Sequence, residues 1–180
     1  MIVFRNNSLT NCSQYTDDYE VLVSFPFHVA LNPLSQIFKN TNGLMDANEH
    51  IYYLNIINQK YVPLTVYCLK YLQKLYIRKT SIYDTRITHL PEQISKLKHL
   101  QSLELVNTNL IALPNGIGNL SSLTLLYLPN NKLTSLPKTI KNIRLLSQIV
   151  LKNNPYLRSI QSINGLSNLR VLQTDNCPIE

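Results

Sequence analysis

No run of 18 apolar residues occurs anywhere in the 180-residue chain, so no membrane-spanning helix is expected. After Met1 only Ile2, Val3 and Phe4 form an apolar run, which is too short for the core of a secretory signal. Glycine is scarce: there are four. Gly116-Ile117-Gly118 lacks the third glycine and the preceding strand of a phosphate-cradling loop. No GxSxG, HExxH or GxxxxGK[ST] pattern is present. The three cysteines, Cys12, Cys68 and Cys177, are odd in number and widely spaced. With no CxxC pair they argue against a zinc knuckle or a thiol redox site. His28, His50, His89 and His99 are scattered. His89 and His99 flank a short helical turn and read as solvated side chains. Carboxylates are few and dispersed, so no acid–base pair is nominated. The chain is expected to be no enzyme, with no catalytic residue, no cofactor and no metal.

What is there is periodic. Leu100, Leu123, Leu146 and Leu169 stand 23 residues apart, and each opens a copy of one pattern. LQSLELVNTNL, LTLLYLPNNKL, LSQIVLKNNPY and LRVLQTDNCPI share apolar residues at offsets 0 and 3. Offset 5 is Leu105, Leu128 and Leu151, then Thr174. Weaker copies begin at Ile51 and Leu72, so the spacings run 21, 28, 23, 23 and 23. Extra residues around Tyr83–Arg86 account for the long one, and a loop is expected there. The linking halves repeat too. Pro63, Pro91, Pro114 and Pro137 each lie nine residues before the next start. Apolar residues follow six and three before it, as in Val66 and Leu69 or Ile94 and Leu97. This pattern predicts a short helical turn with proline at its first position and one apolar face.

A period in the low twenties with this spacing is the mark of the leucine-rich repeat. The spelling LPxxIxxLxxLxxLxLxxNxL in residues 90–166 resembles intracellular leucine-rich repeat proteins of the Ras-scaffold and Scribble type, and the plant Ras-group type. The resemblance covers about residues 51–180. It implies an α/β fold: a right-handed solenoid with parallel strands on the concave face and short helices or turns on the convex face. It also implies buried asparagines at offset 8. That column reads Gln59, Thr80, Thr108, Asn131, Asn154 and Cys177, so Cys177 is expected to be a buried structural thiol. Extracellular members of the family generally carry cysteine clusters that cap the array. None occurs here, which points to a reducing compartment and a cytoplasmic protein, or one exported without a secretory signal. The sequons at Asn6, Asn11 and Asn119 then read as chance matches.

Residues 1–50 do not match the repeat and are expected to form an N-terminal cap, with the array of about six repeats in 51–180. VLVSFPFHVAL (21–31) predicts one or two strands, LSQIFKN (34–40) a short helix and NTNG (40–43) a turn. A sharper alternative is a degenerate F-box-like helix pair built on Phe25-Pro26 and Ile37-Phe38. At the other end, Leu169, Leu172 and Ile179 are expected to leave an apolar edge. That predicts either a larger parent protein or end-to-end self-association.

Alternation along a strand turns offsets 2, 4 and 6 outward. Strands about 4.8 Å apart set these positions in columns. The partner-binding residues expected on this face are Tyr53, Lys74, Tyr76, Arg78, Glu104, Leu125, Tyr127 and Lys152. Aromatic and Arg side chains are the types enriched in binding hot spots. Asn107, Asn130, Asn153 and Asn176 at offset 7 supply either rim hydrogen bonds or the turn after each strand. Formal net charge is +7, and 15 of the 17 basic residues lie beyond residue 50. A basic array favours an acidic protein partner. Nucleic acid rests on charge alone and is disfavoured. The function expected is a non-enzymatic protein-binding module used in scaffolding or signalling. The alternative is a microbial effector or ubiquitin-ligase adaptor that recognises a host protein through the repeats.

Overall fold

The computed structural model describes residues 11–31, 41–59, 61–79 and 87–180. Among the described residues eight strands form one sheet in sequential order: β1 (Ala30–Leu31), β2 (Asn42–Met45), β3 (Ile51–Ile57), β4 (Lys74–Arg78), β5 (Ser102–Val106), β6 (Leu125–Tyr127), β7 (Gln148–Val150) and β8 (Val171–Gln173). From β3 to β8 every pairing is parallel, and β2 runs antiparallel to β3. The register is constant: Leu54, Leu75, Leu103, Leu126, Ile149 and Leu172 sit side by side. The architecture is a solenoid of stacked strand-and-turn units.

Each linking half is a 3-10 turn: Leu64–Cys68, Glu92–Lys96, Asn115–Asn119, Lys138–Asn142 and Gln161–Ile163. Three residues per turn explains the strict three-residue apolar spacing. In one repeat Ile94 N–H bonds to Pro91 O, Leu97 to Ile94 and Leu100 to Leu97, each at 3.1 Å. The prolines correct the expectation of a first helical position. They stand one residue earlier, as extended caps with ψ between 139° and 160°. Their carbonyls accept the first bond of the turn, so the missing N–H costs nothing there. Neighbouring turns pack so closely that a Cβ at Gly118 would lie 2.4 Å from Thr139 O, and one at Gly116 would lie 2.6 Å from Glu92 O.

The core is one continuous cluster built mainly of parallel columns of leucine and isoleucine. Ile51, Leu72, Leu100, Leu123 and Leu146 are fully buried, as are Leu54, Leu75, Leu103, Leu126 and Ile149. The last copy differs: Leu172 is 40% exposed, whereas its five counterparts are at 0%.

After β6 and β7 a buried asparagine closes the turn. Asn131 Oδ1 accepts from Thr108 N at 3.0 Å, Thr108 Oγ1 at 2.9 Å and Leu110 N at 3.1 Å. Its Nδ2 donates to Leu105 O at 2.8 Å and Leu128 O at 3.1 Å. Asn154 repeats this one unit on, accepting from Leu133 N at 3.1 Å and donating to Leu128 O at 3.0 Å and Leu151 O at 2.6 Å. Cys177 Sγ takes the same place, 3.1 Å from Leu151 O. It is half-buried rather than buried, because the last unit is open on its far side.

Three N-terminal expectations change. Residues 21–31 do not begin as a strand: Asp18–Val23 is an α-helix, α1. Asp17 Oδ1 caps it by accepting from Glu20 N at 2.8 Å, and Glu20 Oε2 accepts from Thr16 N at 2.7 Å. These bonds at the first turn outweigh the β-branched composition that follows. Its apolar face sends Val21, Leu22 and, just beyond it, Phe25 into the core. The expected turn at NTNG is strand from Asn42 onward, because β2 pairs with β3. Cys12 and Cys68 are joined in a disulfide, closing a separation of 56 residues. It ties the N-terminal segment to the first linking turn, with Asp18 Oδ2 accepting from Ile51 N at 2.7 Å as a second tie. Such bonds persist in oxidising compartments. The helix expected at 34–40, the loop around Tyr83–Arg86, Thr80 and the Ile37-Phe38 half of the F-box-like pair lie outside the described residues.

Asn131→Leu keeps the size of the side chain and removes every one of its bonds. Chemical denaturation is expected to show a loss of about 1–3 kcal/mol, from unpaired buried backbone groups. Asn130→Gly, at an exposed neighbour, should stay within about 0.5 kcal/mol.

Candidate binding face of the sheet

The register fixes which side chains share the open face. Tyr53, Lys74, Ser102, Leu125, Gln148 and Val171 make one column, and Asn55, Tyr76, Glu104, Tyr127, Val150 and Gln173 the next. Arg78 lies beside Ile57 and Val106. Seven of the eight expected residues lie at outward register positions of β3 to β6, five of them in one cluster, and Lys152 lies beyond the end of β7.

That cluster is centred on Glu104. Tyr53 and Tyr76 have ring centroids 5.1 Å apart, and the Arg78 guanidinium lies 5.8 Å from the Tyr76 ring centre. Ser102 Oγ donates to Glu104 Oε1 at 3.3 Å. Burial pushes the Glu104 carboxyl above the usual carboxylate range. The Tyr76 and Ser102 hydroxyls, and the charges of Arg78 and Lys74, oppose that shift. Burial likewise raises the Tyr53 phenol, and raises Tyr76 with Glu104 adding to it. Ser102, buried under the cluster, is the residue that sequence reasoning passed over. Its offset placed it on the face, but nothing in the sequence marks a carboxylate two positions away as its partner.

Leu125 and Tyr127 lie half-buried on β6. Lys152 stands apart, bonded to Asp175 at 3.1 Å. That contact holds the Asp175 carboxyl below its usual range and draws Lys152 away from the Glu104 cluster. Two outward expectations fail at the first repeat: Asn55 is 1% and Ile57 4% exposed. The open face therefore starts at Tyr53 and Tyr76. Two of the scattered histidines are brought together on the rim where the strands begin. His50 and His99 flank the Tyr71 ring at centroid distances of 3.8 and 5.8 Å.

At the other rim, where the strands end, the offset-7 asparagines make the turn after each strand. Asn58, Asn107, Asn130, Asn153 and Asn176 all have φ between 54° and 60°. This is the left-handed region that asparagine tolerates better than other residues with a Cβ. Asn153 Nδ2 donates to Asn130 Oδ1, and Asn176 Nδ2 to Asn153 Oδ1, both at 2.7 Å. Among the described residues no three His, Cys, Asp or Glu side chains are placed to hold a metal ion. No described helix is long and apolar enough to cross a membrane.

Residues 37–178 match the leucine-rich repeat region family. No curated protein sequence matches the chain. Among solved structures it is similar to a leucine-rich repeat protein of Leptospira interrogans. The identity is 26% and the TM-score 0.51, with 65% of this chain and 34% of that one covered. A plant ice-binding protein is 26% identical at TM-score 0.61, covering 76% and 46%. A chain of the BIR3–SERK2 complex of Arabidopsis thaliana is 23% identical at TM-score 0.57, covering 94% and 92%. This last likeness shows the fold alone. The chain spans less than half the length of the Leptospira and plant ice-binding chains.

A carboxyl raised by burial binds its proton more tightly folded than unfolded. Stability therefore falls as pH rises from the ordinary carboxylate range through the raised value. Glu104→Gln keeps an acceptor for Ser102 and removes the buried charge. Denaturation at neutral pH is expected to show a variant at least as stable as the parent, with a flatter stability profile across the weakly acidic range.

Proposed function

This chain belongs to the leucine-rich repeat family, and we propose that it is a non-enzymatic protein-binding module whose partner docks on the open face of the sheet. The observation that carries this reading is the Tyr53–Tyr76–Arg78–Glu104 cluster. It puts two half-buried aromatic rings, a guanidinium and a desolvated carboxylate together on one face. Stacked repeats offer extended concave surfaces for partners, and Tyr and Arg dominate interface hot spots. Exposed Lys74 and Arg78, on an array with an excess of basic residues, favour an acidic patch on the partner. Scaffolding or signalling is the role this suits, and the repeat spelling supports the Ras-scaffold and Scribble-like subtype.

In this reading residues 1–50 cap the first repeat and 51–180 form the array. The cap is needed because a repeat cannot cover its own apolar end. The Cys12–Cys68 bond favours an oxidising setting over the reducing cytoplasm. The exposed Leu172 on β8 supports self-association through that edge.

The test is capture of partners from lysate or medium, followed by affinity measurement with substituted chains. Tyr76→Ala and Tyr127→Ala should each weaken binding by about 2 kcal/mol or more, as central hot spots do. Charge reversal at Lys74 and Arg78 should mainly slow association and alter its salt dependence. Lys138→Glu on the convex side should do little. Equal tolerance of open-face and convex substitutions would place the site elsewhere.

A further inference from the structure

Beside the open face lies a groove of about 450 Å³ that the protein-binding reading does not use. It follows the strand ends from Asn107 through Asn130 and Asn153 to Asn176, with Tyr156 and Lys132 along its side. Two observations set it apart from ordinary surface. First, its floor is a chain of carboxamides bonded head to tail, Asn176 to Asn153 to Asn130, at 2.7 Å per link. The left-handed backbone explains why asparagine occupies these positions, but glycine satisfies that backbone as well and carries no carboxamide. Second, Tyr156 is 54% exposed, a large ring left in solvent beside this polar floor.

We propose that this groove binds an extended, neutral, β-linked polysaccharide. A carboxamide has two N–H donors and two acceptor lone pairs. The ladder bonds of Asn153 use one of each and leave one of each, a match for neighbouring ring hydroxyls. The carboxamides recur once per strand, about 4.8 Å apart, and a β-1,4-linked hexose chain advances about one ring per such step. An extended peptide fits less well, since its side chains recur on one face only every ~6.6 Å, twice the rise per residue. An anionic polymer is disfavoured by the floor itself, four uncharged side chains with the single cation Lys132 beside them. The exposed Tyr156 supplies an apolar ring face and a polar tip, which suits the two-sided surface of a sugar ring.

The experiment is calorimetric titration of the full chain with cellohexaose, with polygalacturonate as the charged comparison. Cellohexaose is expected to bind with an affinity that does not change with salt. Asn153→Gly should weaken that binding at least tenfold while leaving the denaturation midpoint in place, because glycine keeps the left-handed backbone. Tyr156→Ala should weaken it to a similar degree. Absence of binding to cellohexaose would overturn the proposal. So would binding that both substitutions leave intact, or tighter, salt-sensitive binding of polygalacturonate, which would identify an anion groove instead.

Discussion

The carboxamide of Asn131 sits buried in the turn that follows β6, bonded to the backbone of its own repeat and of the one before. A parallel stack of short strands needs such a group. Each strand must stop and turn sharply, and the turn leaves backbone N–H and C=O groups inside the core. An unpaired buried group costs as much as a lost hydrogen bond. One side chain with donors and acceptors on the same carbon answers several of them at once. Asn154 does the same next door and Cys177 does part of it. From β5 to β7 the register is reinforced by this repetition, because each carboxamide ties two consecutive repeats together.

Constant register has a functional consequence. Side chains separated by 21 to 28 residues in sequence become neighbours in straight columns, so a surface is assembled from single residues contributed by different repeats. Tyr53, Tyr76 and Glu104 come from three repeats and form one cluster. The same geometry builds the asparagine ladder at the rim, where a backbone requirement and a line of polar groups coincide. The two surfaces lie next to each other and differ in chemistry: one is aromatic and charged, the other neutral and amide-rich.

The fold was legible in the sequence because its period is set by packing. Leucines that must point inward cannot drift, and the three-residue spacing of the linking turns is dictated by the 3-10 geometry. The outward columns follow from alternation alone. What was not legible depends on contacts that no period encodes. Asp17 and Glu20 start a helix where β-branched residues suggested a strand, although the Asp-x-x-Glu spacing carried the signal. Cys12 and Cys68 meet only because the N-terminal segment folds back on the first linking turn. Ser102 and Glu104 are two apart, a spacing shared by many pairs that never touch. Lys152 is expected on the same face as Glu104, but it lies beyond the end of β7 and bonds to Asp175 beyond the end of β8. Asn55 and Ile57 occupy outward offsets and are nonetheless buried, where Asn42 of β2 pairs with Asn55 and Thr41 Oγ1 accepts from Ile57 N.

If a shared carboxamide is what joins one repeat to the next, protection from solvent should follow it. Native-state hydrogen exchange resolved to single amides tests this most directly. The amides of Thr108 and Leu110, which donate to Asn131, should exchange in the slowest class together with β5 and β6. Those of β8, where Leu172 lies exposed, should exchange much faster. A flat profile, with Thr108 and Leu110 no better protected than β8, would contradict the account.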